Sequence, residues 1–273
     1  MAKRNTNATR KAPKINGYVI YNGPSMIDGA PIVAIATGLA SKSNNEKTGA
    51  MIQTWILRAD IDPNQALDTG DDASICGQCP HRGTIVNGKN RNRACYVRVW
   101  QAPLVVWKAH TERGIYPNAD AAELGALFAG RIVRLGSYGD PAAVPLHIWE
   151  GVLSQAAGHT GYTHQWNVKG ADGKRKFLGL NKYVMASADS HQEMVQATML
   201  GFRTFRVTGK DSRNDKAANE VICPASKEMD YKTNCASCKA CGGNTAKAKA
   251  NIVITVHGSA DKVKAFKSEK TAA

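Results

Sequence analysis

Cysteine is the residue type whose spacing in this chain could do the most chemistry. Cys76, Cys79 and Cys95 form one group, and Cys223, Cys235, Cys238 and Cys241 form another. A C-x-x-C spacing lets one tight turn aim two sulfurs at a single soft metal, which is how zinc sites and iron–sulfur clusters use it. The second group reads C-x11-C-x2-C-x2-C and has four thiols, enough to close a coordination sphere. The first, CGQCPHR followed by Cys95, has three. It is complete if His81 joins as a fourth ligand; otherwise one position is left to substrate or solvent. Disulfides are the competing use of cysteine. The odd count, a start that does not read as a secretory leader and a chain of 273 residues weigh against a secreted disulfide scaffold.

Charge suggests the kind of partner. A formal net charge of +14 raises nucleic acid or another anion, because clustered Lys and Arg gain affinity by releasing phosphate counterions. The stretch HRGTIVNGKNRNRACYVR is the sharper signal, since Arg82, Lys89, Arg91, Arg93 and Arg98 have no acidic residue beside them in sequence. It reads either as an anion-binding loop tied to a metal site or as a solvated loop. No apolar run approaches the ~20 residues of a membrane span, so no membrane partner is expected.

The elements that must position these residues read as α/β. The start, 1–14, is basic and lacks both acidic residues and an apolar stretch, which predicts a disordered arm. GYVIYNG, APIVAIATG and GAMIQTWILRAD are short apolar or alternating runs that predict a β-rich opening. SKSNNEKTGA between them reads as a turn; its K-T-G has no S-x-x-K partner. A helix is expected over ADAAELGALFAG, then a strand RIVRLGSYGD. A helix over PAAVPLHIWEGVLSQAAG follows, with Val144, Ile148, Trp149, Val152, Leu153 and Ala156 on one face. GYTHQW, KYVMASAD and FRTFRV read as further strands. Ser190 and Glu193 make a capping box for SHQEMVQATML, whose Met194, Val195 and Met199 are expected inward. NVKGADGKRKFLGLNK reads as a polar hairpin. NEVICP and NIVITVHG complete the strands, and 259–273 reads as a Lys-rich solvated tail or frayed helix. Consecutive strand–helix–strand units predict parallel strands with right-handed crossovers, hence one α/β metal-binding domain over 15–258, a partial (β/α) barrel or a mostly parallel sheet.

In such folds ligands sit beyond the carboxyl ends of strands, which singles out the residues after each run. Asp140 and His164 are the candidates for acid–base chemistry. Ser137, Gly139, Asp140, Ser187 and Asp189 are candidates for binding a cofactor. Each has a plainer use: Asp140 precedes Pro141 and can cap a helix, Asp189 and Ser190 stand at a helix start, and His164 can be an interior histidine on a strand. If the sheet curls, both cysteine groups share one rim.

CGQCPHR followed by ACYV, the SYGDP strand end, GYTHQW, and a C-terminal CP with C-x-x-C-x-x-C together resemble an uncharacterised family of cysteine-rich proteins of tailed bacteriophages. Those proteins in turn look like relatives of radical S-adenosylmethionine barrels. The likeness spans about Gly17 to Gly258. It implies a phage or prophage origin, a cytoplasmic setting in an infected host and a partial barrel. It also implies an open iron–sulfur cluster on Cys76, Cys79 and Cys95, an auxiliary one on Cys223, Cys235, Cys238 and Cys241, and S-adenosylmethionine as cofactor. The chain departs from the radical pattern in having C-x2-C and a distant Cys95 where C-x3-C-x2-C is usual. It contains neither a G-x-G-x-x-G nor a Walker loop.

Two function classes follow. One is an iron–sulfur protein, with a radical-type enzyme as its more specific form, acting on an anionic nucleotide or nucleic-acid substrate. The other is a zinc-stabilised nucleic-acid-binding protein without catalysis, in which His81 completes the first site. A replication enzyme with a tyrosine nucleophile at Tyr96, Tyr138 or Tyr162 is a third, but no paired His-hydrophobic-His motif accompanies those tyrosines.

Overall fold

The computed structural model describes residues 15–41 and 45–271. The arm expected over 1–14 and part of the K-T-G connector therefore lie outside the described residues. The strands are β1 (Gly17–Pro24), β2 (Pro31–Thr37), β3 (Ile52–Arg58), β4 (Thr84–Val86), β5 (Lys89–Arg91), β6 (Ile132–Tyr138), β7 (Gly158–Thr163), β8 (Met185–Ala188), β9 (Thr204–Thr208), β10 (Glu220–Ile222) and β11 (Asn251–Thr255). Between them lie helices α1 (Pro63–Thr69), α2 (Ala73–Cys76), α3 (Ala102–Thr111), α4 (Leu124–Leu127), α5 (Leu146–Leu153), α6 (His191–Met199), α7 (Ser212–Asp215) and α8 (Cys235–Cys238). Helix α9 (Ala260–Thr271) follows β11.

Nine strands form one sheet in the order β1-β2-β3-β6-β7-β8-β9-β11-β10, and β4 with β5 makes a separate hairpin. β1, β2 and β3 pair antiparallel; every pairing from β3 to β10 is parallel. The fold is thus mixed α/β on a mostly parallel sheet. β1 and β10 are its two edges, so it is not a closed barrel. Sequence runs explain the centre: IVAIA of β2 is fully buried, as strands covered on both faces must be. A second, smaller core joins Met185, Ile252 and Ile254 to Cys223 and Cys241, so part of the second cysteine group is packed apolar structure. Among the described residues, no helix is long and apolar enough to cross a membrane.

Local chemistry accounts for the helix boundaries. Asp62 accepts from the Asn64 and Gln65 amides, Pro63 starts α1 and Gly70 stops it at φ 85°. Ser190 accepts from the Glu193 amide at 3.1 Å, while the Glu193 carboxylate accepts from the Asp189 amide at 2.5 Å. This is the expected capping box shifted by one residue, and it pins Asp189.

Several expectations need correction. The helix before β6 shrinks to α4, where Gly125 disfavours a longer run. Pro145 forces Val144 to extended geometry, so α5 begins at Leu146 and Val144 is buried beside it, not on it. On α6, Met194 and Ala197 face inward, but Val195 is 51% and Met199 82% exposed. Five residues advance a helix by about 140° beyond a full turn, too far for Met194 and Met199 to share a face. At the far end, of the solvated tail or frayed helix expected there, a helix forms, α9, and it buries Phe266 to 3% exposure.

Candidate functional site

A cavity of about 440 Å³ opens at the carboxyl ends of the parallel strands, and all seven cysteines line it. Chain order hides this convergence. The first group arrives on the connection after β3: Cys76 ends α2, and Cys79 precedes a 3-10 turn carrying His81. Gly77 sits between them at φ 54°, a left-handed conformation that glycine adopts without strain. The turn is strapped by Gln165, just past β7. Its Nε2 donates to the Cys76 carbonyl at 3.0 Å, and its Oε1 accepts from the Gln78 amide at 3.1 Å. Cys95 is tied to the same turn, its amide donating to the His81 carbonyl at 3.0 Å.

The second group arrives from three directions. Cys223 follows β10 and its amide donates to the Val253 carbonyl of β11 at 2.9 Å. Cys235 and Cys238 bracket α8, capped by the Asn234 side chain on the Ser237 amide at 3.0 Å. Lys239 turns the chain at φ 54°, and the Cys241 carbonyl then accepts from the Gly161 amide of β7 at 3.1 Å.

All seven cysteines are free of disulfides. Burial pushes the thiols of Cys76, Cys79 and Cys235 up, and raises Cys223 to about 11 and Cys241 to about 12. Without a cation, therefore, these thiols stay protonated at neutral pH; a bound metal removes the proton and supplies the missing positive charge. A thiolate-rich donor set of this kind suits iron–sulfur clusters or zinc. Among the described residues, none of the seven sulfurs belongs to a group of three potential ligands lying within 4.8 Å of one another. Four thiolates on one zinc lie only about 3.8 Å apart, given Zn–S bonds of about 2.3 Å.

The candidates after the strands divide by role. Asp140 is buried, and burial raises its pKa. One oxygen accepts from the Ala142 amide at 2.9 Å and the other from the His164 amide at 2.8 Å. It lines the cavity, but both oxygens serve backbone, capping the 3-10 turn after β6 and holding His164. Ser137 donates to Gln53 at 2.6 Å, and the Ser187 carbonyl accepts from the Trp166 indole at 2.8 Å. At Gly139, φ is 83° and a Cβ would lie 2.6 Å from that of Ile56, so β6 and β3 meet there at backbone distance. Comparison of the chain with family models, curated proteins and solved structures yields no match.

Of the basic stretch, none of Arg82, Lys89, Arg91, Arg93 or Arg98 lines the cavity. Folding supplies partners the local sequence lacks. Arg82 bonds Asp72 at 2.6 Å and the Gly70 and Gly77 carbonyls; Arg93 donates to the Cys95 and Val97 carbonyls; Lys89 pairs with Asp68 at 3.0 Å. Arg91 and Arg98 are exposed.

The cavity's own cations come from elsewhere and escaped the sequence reading. Arg134 on β6 donates to the Tyr96 hydroxyl at 2.7 Å and keeps its buried Nε without a hydrogen-bond partner. Among the described residues no carboxylate pairs with it. Lys47 reaches His257 at 2.6 Å on the same wall, and Lys239 adds a further positive charge. Period-2 alternation was the available signal for Arg134: it is the one cation inside an otherwise apolar strand, and that strand's side chains alternate between faces.

Proposed function

We propose that this chain is an iron–sulfur protein of radical-enzyme type, with its reaction in the cavity at the strand ends and an anionic molecule as substrate. The observation carrying the reading is that seven thiols from distant parts of the chain line one cavity, without three of them lying within 4.8 Å of one another or of another ligand. That spread suits the larger frame of a cluster better than a single tetrahedral ion.

Cys76, Cys79 and Cys95 would hold the open cluster, and Cys223, Cys235, Cys238 and Cys241 the auxiliary one. A cluster held by only these three thiolates would supply one-electron chemistry and an open position for a cofactor such as S-adenosylmethionine. Around it, Gly139 and Ser187 offer backbone close to the strand ends, and Asp140 orients the His164 segment. Arg134, aided by Tyr96, offers a buried positive donor to a phosphate or carboxylate. The sequential order from β6 to β9 supports a partial-barrel reading, since right-handed crossovers then fall on one face and leave the other to form the cavity wall. The resemblance to phage proteins is what supports a phage origin and action in the cytoplasm of an infected bacterium. Arg91 and Arg98 are the exposed charges available to a nucleic acid.

A closed Cys3His zinc centre has less support, because among the described residues His81 and the three thiols of the first group do not form a set of ligands within 4.8 Å of one another. Anaerobic purification tests the proposal. The expected result is brown protein with several irons and sulfides per chain; colourless protein with stoichiometric zinc overturns it.

A further inference from the structure

The cavity contains a second donor set, built from nitrogen and oxygen. Among the described residues, the one group of three or more potential ligands lying within 4.8 Å of one another is His81, His164 and Asp189. His81 Nε2 lies 3.1 Å from each Asp189 oxygen, and His164 Nε2 lies 3.5 Å from Asp189 Oδ2. Donors bound to one ion at about 2.0–2.2 Å, at angles between square and tetrahedral, are separated by about 3–3.5 Å.

A hydrogen-bonded histidine–aspartate pair accounts for His81 alone. His164 Nε2 is left in a long 3.5 Å contact with Asp189 Oδ2, both atoms buried and neither meeting strict hydrogen-bond geometry. An ion bound by both atoms would satisfy them more fully than that contact does. The Asp189 side chain is 2% exposed, His81 14% and His164 19%, so access to the group is through the two imidazoles.

We propose that His81, His164 and Asp189 hold one divalent first-row transition ion, Zn²⁺ or Fe²⁺, as a mononuclear site distinct from the thiol sites. Two imidazoles and a carboxylate are a donor set suited to these ions, and three protein ligands leave positions open toward the cavity. Each ligand is held by a separate element. Glu193 fixes the Asp189 backbone, Asp140 fixes that of His164, and the Phe266 ring of α9 packs on His81 at 5.3 Å. Support of this kind keeps ligands in place before the ion arrives. The ion faces the same space as the cysteines, where it polarises an oxygen of the bound molecule as a Lewis acid. The site does not depend on the iron–sulfur reading.

Cobalt(II) is the probe, added to the full-length protein as purified under anaerobic conditions. Cobalt on nitrogen and oxygen ligands gives weak d–d bands, whereas cobalt on cysteine adds an intense thiolate charge-transfer band. His164→Gln and Asp189→Asn should each lose one equivalent of cobalt with its d–d bands and keep any charge-transfer intensity. Unchanged stoichiometry in folded variants overturns the proposal, as does a loss accompanied by an equal loss of charge-transfer intensity. If a variant does not fold, anomalous scattering from cobalt-soaked wild-type crystals decides: a peak bonded to all three residues supports the site, and no peak there overturns it.

Discussion

Gln165 holds Cys76. Its side-chain amide donates to the Cys76 carbonyl at 3.0 Å while accepting from the Gln78 amide at 3.1 Å, so one residue beyond β7 braces both sides of the C-x-x-C turn. Replacing it with Ala removes both bonds and leaves partly buried backbone groups unpaired, a loss of about 1 kcal/mol. Urea unfolding should register that loss, and any iron retained after gel filtration should fall more for Gln165→Ala than for Gln65→Ala, an exposed control on α1.

Gly77→Ala should be worse than an ordinary glycine replacement. At φ 54° any side chain is strained, by about 1–2 kcal/mol. A Cβ would also collide with the Gln165 amide. Gly88→Ala supplies the comparison, since it shares a left-handed φ of 68° but has nothing within 4 Å of its Cβ. Thermal melts of the pair separate strain from collision, with the larger drop in melting temperature expected at Gly77.

Edge strand β10 is held to β9 by a buried ion network. Arg206 bonds Glu220 at 2.7 Å and Asp215 at 2.7 Å. Glu220→Ala leaves a buried guanidinium short of its partner and should cost about 3–5 kcal/mol. Because Cys223 directly follows β10, metal at the second cysteine group should become easier to chelate. Competition with a chromogenic chelator checks this.

The same network sets an acid dependence. Burial works against the Asp215 carboxylate, but its bonds to Arg206 and Thr208 outweigh that and bring its pKa below the ordinary 3.8. A depressed carboxylate contributes stability in full above its unfolded value and loses it as pH falls through the folded one. Stability should therefore decline as pH drops below about 3.8, and Asp215→Asn should flatten that decline in urea melts taken across the acid range.

Arg134→Gln keeps a polar side chain but removes the cavity's buried charge. Binding of a nucleoside monophosphate, the simplest anionic probe, should weaken by about 1.5–3 kcal/mol, the range of a hydrogen bond to a charged group. Arg91→Gln should change it little. Isothermal titration distinguishes the two, and equal effects would mean that the exposed loop, not the cavity, binds the anion.

Much of the sheet was legible because β-branched runs such as IVAIA and NIVIT admit few other uses, and consecutive strand–helix units constrain direction. The spacing of the cysteines raised metal binding as an expectation and said nothing of where the two groups would lie. Their meeting on one rim was expected only if the sheet curled; the contacts that bring it about, one group with Gly161 of β7 and the other with Gln165 just past it, are not visible in spacing. Local sequence also misled about charge: Arg82 and Arg93 looked unpaired because their acceptors are mostly backbone carbonyls, which no residue type reveals. Phe266 was missed because a single aromatic ring in a lysine-rich helix gives no periodic signal, yet one ring suffices to seat the helix. His81 was read beside the cysteines because it is their neighbour in sequence; folding keeps it in their cavity and adds Asp189 as a neighbour that spacing could not reveal.

Strand β7 therefore works as a ruler. The Cys241 loop is bonded to Gly161, two residues before the strand's end, and Gln165, two residues past that end, braces the Cys76 turn, so the gap between the two thiol groups is set by a few residues of backbone. Were both groups to take metal, a displacement at one would reach the other through that short span.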